Sequence, residues 1–201
     1  LDLSLNNDIL RFTFTAFCII TLLNGLNFMD GVNSFVSGYV LLILITLNLI
    51  VLKITNQTYF NDYIYIFLVF FIFNSFGKCF LGDNGIYIST ILISFVVINT
   101  LNLYELISPI SAVSLLWYPA IENLFTILRR FYKKKLLFLP DKFHLHSLIF
   151  EKLNSKFKYL PQNYINTATG FILIISLIPN FLFTYFFYNE SNYLAYLVII
   201  Y

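Results

Sequence analysis

Three groups of polar residues interrupt an otherwise apolar chain, and their types suit phosphate and cation chemistry. The first runs from Asn24 through Gly25, Asn27, Asp30, Gly31 and Asn33 to Ser34, setting amides and a carboxylate three residues apart. On a helix such side chains project from nearly one face. An ionisable group at membrane depth is costly, so it is usually functional or lines a wet cavity. The same pattern also fits a polar helix–helix contact followed by an ordinary Asp-Gly turn. The second group, Lys78-Cys79-Phe80-Leu81-Gly82-Asp83-Asn84-Gly85, reads as a tight glycine-flanked turn that carries one carboxylate between two apolar helices. Such a turn suits a hard cation. Mg²⁺ takes one or two protein carboxylates and completes its octahedron with water and substrate phosphates, so Asp83 beside a pyrophosphate would suffice; a plain Asn-Gly turn is the alternative. The third group is basic: Arg129-Arg130 and Lys133-Lys134-Lys135, then Pro140-Asp141-Lys142-Phe143-His144-Leu145-His146, with the only two histidines of the chain. His-x-His can ligate metal, but no third ligand stands in range. Paired imidazoles beside cations equally suit phosphate contacts or proton transfer. The Arg and Lys run fits either direct phosphate binding or topology and anionic-lipid contact.

The elements that must position these groups are membrane helices. The chain is 59% hydrophobic and 11% charged, against about 25% charged in an ordinary soluble domain, which excludes disordered and nucleic-acid-binding classes. Apolar residues come in runs of about 14 to 20, the length of bilayer-spanning helices. Spans are predicted near 9–27, 35–53, 62–76, 86–104, 109–128 and 167–187, with a seventh begun at 193, giving an all-α polytopic bundle in one membrane domain over residues 1–201. Alternating sides puts 28–34, 77–85 and a long basic loop, 129–166, on one face. Of the 12 Lys and Arg, nine lie between Arg129 and Lys158 and Lys78 shares their side. The positive-inside rule makes that side cytoplasmic. Arg11 and Lys53 are the exceptions, at helix ends where a long cation can snorkel. Cys18 and Cys79 have neither metal-site nor disulfide-framework spacing and read as free thiols.

Taken in order, the three groups resemble the polyprenyl-phosphate N-acetylhexosamine-1-phosphate transferases, glycosyltransferase family 4, over roughly Asp2 to Leu148. That family carries Asn-x-x-Asn-x-x-Asp-Gly, matched by Asn24, Asn27, Asp30 and Gly31. It also carries Phe-(Met/Leu)-Gly-Asp-x-Gly, matched by Phe80, Leu81, Gly82, Asp83 and Gly85. The branch acting on UDP-GlcNAc-like donors shows Pro-Asp-x-x-His-Leu-His, matched by Pro140, Asp141, His144, Leu145 and His146. The resemblance implies that Asp83 binds Mg²⁺, with Mn²⁺ able to substitute. It further implies that Phe80 stacks on the uracil, that Asp30 sits in the catalytic cavity, and that His144 and His146 contact the phosphates. Asn27, Asn33, Lys78, Arg129 and Arg130 complete the expected binding set. Departures are Asn33 for a second Asp, Asn84 and Ile86 for Ser, and Glu122 for an Asp before the Arg pair.

The resemblance as a whole implies transfer of a sugar-1-phosphate from a UDP-sugar to polyprenyl phosphate at the inner membrane, with the site facing the cytoplasm and a homo-oligomer left open. The family's adjacent Asp-Asp pair has no match, and Asp2-Leu3-Ser4 resembles the stretch immediately C-terminal to that pair. The segment is therefore expected to be the C-terminal part of a longer transferase, inactive by itself. The rival reading is a transporter or membrane scaffold whose Asp30 and Asp83 line a polar pathway. Ionisable groups gathered at helix ends on one side argue against it, because transporters hold theirs near the bilayer midplane.

Overall fold

The computed structural model describes residues 8–132 and 144–200. Within them the chain forms eight helices: α1 (Asp8–Met29), α2 (Phe35–Thr55), α3 (Asn61–Ser75), α4 (Gly82–Leu103), α5 (Pro109–Tyr132), α6 (Leu145–Lys156), α7 (Gln162–Phe186) and α8 (Ser191–Ile200). Lys133–Lys135 and Pro140–Phe143 of the third group lie outside the described residues.

Five helices, α1, α2, α4, α5 and α7, are long and apolar enough to cross a membrane. The predicted span over 62–76 forms as α3, but its 15 residues cover only about 22 Å, short of the roughly 30 Å hydrocarbon core. A Schellman motif stops it: Lys78 N–H bonds Phe73 O at 3.0 Å and Gly77 N–H bonds Asn74 O at 2.9 Å, with Gly77 at φ 66°.

At the centre stands α2, apolar nearly all round and buried along most of its length, with α1, α3, α4 and α7 packed against it. Its Leu44, Leu47 and Val51 join Leu26, Ile93, Leu115 and Leu173 in one continuous core. The α5 helix packs between α1, α7 and α8 and contains Pro119. Proline has no N–H to give the carbonyl four residues back. The Tyr39 hydroxyl on α2 donates instead to Leu115 O at 2.6 Å, meeting the rule that backbone groups at membrane depth find a partner inside the protein. Nearby, Ser114 bonds Asn180 and Thr184 across to α7.

Two other expectations are corrected. The described residues of the basic loop 129–166 are mostly helical: α5 runs on to Tyr132, α6 fills Leu145–Lys156, and α7 starts at Gln162 rather than 167. The Gly82-Asp83-Asn84-Gly85 segment is the first turn of α4, not a turn between helices.

Candidate active site

The α1–α2 turn is the centre of the site. After Met29 the chain reverses, with Gly31 N–H bonded back to Met29 O at 2.8 Å. This carries Asp30 beside the start of α4, where its half-buried carboxylate accepts the Gly82 N–H. The first N–H groups of a helix have no intrahelical partner, and Leu81, at the N-cap of α4, offers no side-chain cap. Asp30 therefore caps α4 from another loop. Burial pushes the Asp30 carboxyl above the usual carboxylate range; the Gly82 N–H opposes this, and the charge of neighbouring Asp83 adds to it. Asp83 itself is exposed in the first turn of α4.

One amide holds both aspartate-bearing segments in register. Asn74, buried near the end of α3, accepts from Ser34 N–H at 2.7 Å and Ser37 Oγ at 3.0 Å through Oδ1, while its Nδ2 donates to Cys79 O at 2.8 Å. The Ser34 and Ser75 hydroxyls meet at 2.8 Å, and Thr167 Oγ1 donates to Ser75 O at 2.8 Å. Ser34 itself adopts φ 71°, an uncommon left-handed conformation for a residue other than glycine, and these bonds surround it. Sequence reasoning missed Asn74. A lone amide in an apolar run carries no periodic signal, since its partners come from residues 34, 37 and 79.

On the other side of the turn stand the histidines. His144 precedes α6 and His146 lies in its first turn, both buried, their rings stacked at 5.5 Å and 6°. His144 also stacks on Phe28 at 5.1 Å, and its Nδ1 lies 2.8 Å from Glu122 Oε1 on α5. That contact fixes the ring and favours the tautomer whose Nδ1–H donates to the carboxylate. The His146 imidazole is pushed down to about 4, chiefly by burial and further by His144, with Glu122 acting the opposite way. It is thus neutral at physiological pH. A Cβ on Gly31 would run into the His146 ring, so glycine after Asp30 is what lets the histidine approach the turn. Glu122 had a legible signal: it is the only acid of α5, two turns from Arg129 on the same face.

Around this junction the remaining expected residues fall into distinct places. Arg129 and Arg130 occupy the last turn of α5, and the Arg130 guanidinium sits 5.8 Å from the Phe28 ring centroid. Lys78 and Phe80, the latter 73% exposed, stand on the α3–α4 connection beside Asp83. Asn24 and Asn27 are exposed on α1. Asn33 points elsewhere: it is buried, its backbone N–H donates to Asn166 Oδ1, and its side chain reaches Asn163 and Thr167 on α7. A cavity of about 250 Å³ opens between the turn, α6 and α7, lined by Gly31, His146, Ser147, Phe150, Glu151 and Asn166. Among the described residues no group of three or more His, Cys, Asp or Glu could hold a metal ion by protein ligands alone.

Bundle and site together define a multi-pass helical membrane protein whose candidate site residues, Asp30, Asp83, Glu122 and the two histidines, gather at one end of the bundle. The family model for glycosyl transferase family 4 matches residues 2–105, more than half of the 201 residues, and the chain belongs to that family. It is accordingly a membrane glycosyltransferase. The match covers Asp30, Asn74 and Asp83 and ends before Glu122 and the histidines, whose association with the site rests on geometry. No curated protein and no solved structure matches the chain significantly.

Proposed function

We propose that the protein moves a sugar-1-phosphate, of the N-acetylhexosamine kind, from a UDP-sugar to polyprenyl phosphate in cell-envelope glycan synthesis, with its site facing the cytoplasm. The observation that carries this reading is the meeting of Asp30, Asp83 and the stacked His144–His146 pair around one turn at the end of a membrane bundle. An acceptor with a long apolar tail keeps that tail in the bilayer, while its phosphate meets a water-soluble nucleotide at the interface. Phosphoryl transfer asks little covalent chemistry of a protein and rewards positioning and charge neutralisation.

The lipid phosphate oxygen attacks the β-phosphorus of the donor, and the bond to the departing UMP breaks. Asp30, whose carboxyl is raised by burial, is suited to take the proton of the attacking phosphate, because a base works best when its affinity for protons approaches that of its partner. His146, held neutral, offers a hydrogen bond rather than a fixed charge. Arg129 and Arg130 bring the positive charge the pyrophosphate needs. Two neighbouring carboxylates, one raised partly by the charge of the other, fit a divalent cation that also draws on substrate phosphates. Asp83 would hold Mg²⁺, or Mn²⁺, with Asp30 beside it, and the bound ion would neutralise charge on the pyrophosphate.

In membranes containing the whole protein, Asp83→Asn is expected to cut Mg²⁺-dependent UMP release and lipid-linked sugar formation by about 100-fold or more, with unchanged protein level. Near-normal turnover would refute the assignment.

A further inference from the structure

Along α6 and the first three turns of α7 lies a second cavity, of about 240 Å³, that the transfer reaction leaves unused. Leu153, Phe157, Leu160, Ile165, Ala168 and Ile172 line it, so its wall is apolar. Its rim is cationic. The Lys156 ammonium sits 5.5 Å from the centroid of the Phe157 ring that forms part of the wall, and Lys158 is next along the chain and also exposed. Among the described residues no ion pair engages either lysine. Tyr164, 69% exposed, adds its ring to the lining, and Tyr159, 77% exposed, packs edge-on against Phe157 with centroids 6.1 Å apart.

These features set a depth. The 12-residue α6, with its lysines, is too short and polar to cross a bilayer, whereas α7 is a membrane span starting at Gln162. Tyrosines and lysines at such a junction mark the headgroup level. The apolar cavity then begins at that level and continues along the span. We propose that it holds one acyl chain of an anionic bilayer phospholipid, whose phosphate is bound by Lys156 and Lys158.

The transfer acceptor is a poor occupant. Lys156 lies ten residues beyond His146 on one helix, about 15 Å along its axis, so a phosphate held there is out of reach of the site. The cation pair selects an anionic over a zwitterionic headgroup. Nothing in the inference depends on the transfer reading, because binding is measured without turnover.

The test uses the whole purified protein and native mass spectrometry in neutral detergent with added phosphatidylglycerol or phosphatidylcholine. One phosphatidylglycerol per chain should be retained and phosphatidylcholine should not. Lys156→Gln with Lys158→Gln should weaken retention roughly 30-fold, and Ala168→Phe, which fills the cavity, should abolish it. If Ala168→Phe fails to fold, the exposed-lysine variant decides. Equal retention of the two lipids, or retention unaffected by the lysine changes, overturns the proposal. So does displacement by polyprenyl phosphate with the same sensitivity to the variants, which would give the cavity to the acceptor.

Discussion

Replacing His146 with glutamine should remove a specific part of the protein's acid sensitivity. In the fold the imidazole takes its proton only near pH 4, against an ordinary value of 6.5. Between those values the unfolded chain binds more protons at this residue than the folded chain, so its contribution to stability rises with pH. That contribution is complete above pH 6.5 and is lost progressively as the pH falls to 4. A separation of about 2.5 units, at 1.36 kcal/mol each, amounts to about 3 kcal/mol, a large share of the 5–15 kcal/mol typical of a folded domain. Asp30 works with the opposite sign, since its raised carboxyl protonates more readily in the fold. The difference between wild type and variant, rather than either curve alone, is therefore the measure. The only tryptophan, Trp117, is buried in α5 and its emission can follow thermal unfolding in detergent. The wild-type midpoint should fall from pH 6.5 to 4 by several degrees more than that of His146→Gln. Parallel curves over that interval would refute the claim that His146 is held neutral by its surroundings.

Asn74→Ala leaves the Ser34 N–H and the Cys79 carbonyl without their partner and is expected to cost roughly 2–4 kcal/mol together with most activity. Unchanged Trp117 unfolding and unchanged turnover would show that the two loops are registered by something else. Glu122→Gln should lower kcat by roughly tenfold to a hundredfold with KM nearly constant, and Glu122→Asp should recover part of the loss; a change confined to KM would remove Glu122 as the residue that positions His144. Cys79, on the α3–α4 connection and raised by burial, should react slowly with an impermeant maleimide, faster at higher pH. In a Cys18→Ser background of right-side-out vesicles it should react only after the membrane is opened, and labelling of sealed vesicles would invert the orientation.

Much of this arrangement is legible in the sequence because apolar runs obey the solvent. Five of the predicted spans form as long apolar helices, since a backbone in lipid must satisfy itself locally. The Asp30 and Asp83 groups stand out for the same reason, as charges that an apolar setting does not tolerate idly. Features that depend on a partner far along the chain escape. The pairing of Glu122 with His144 and the use of Asn33 against α7 are tertiary facts, and Asn33, read as a ligand contact, is spent on Asn163, Asn166 and Thr167. The α6 helix was hidden differently. Leu145, Leu148, Ile149, Leu153 and Phe157 repeat at helical spacing, but the surrounding lysines read as a topological charge signal and drew the segment into a loop.

The bond from Tyr39 to Leu115 has a mechanical consequence. Where Pro119 interrupts α5, a hydroxyl on α2 fastens the half of α5 that precedes the proline, and the half that carries Glu122 and the arginines extends beyond it. The Asp30 turn leads directly into α2 as well. One beam thus supports the two sides of the site unequally: a tilt of α2 carries the Asp30 turn and the first half of α5 together, whereas rotation about Pro119 moves Glu122, and His144 with it, relative to Asp30.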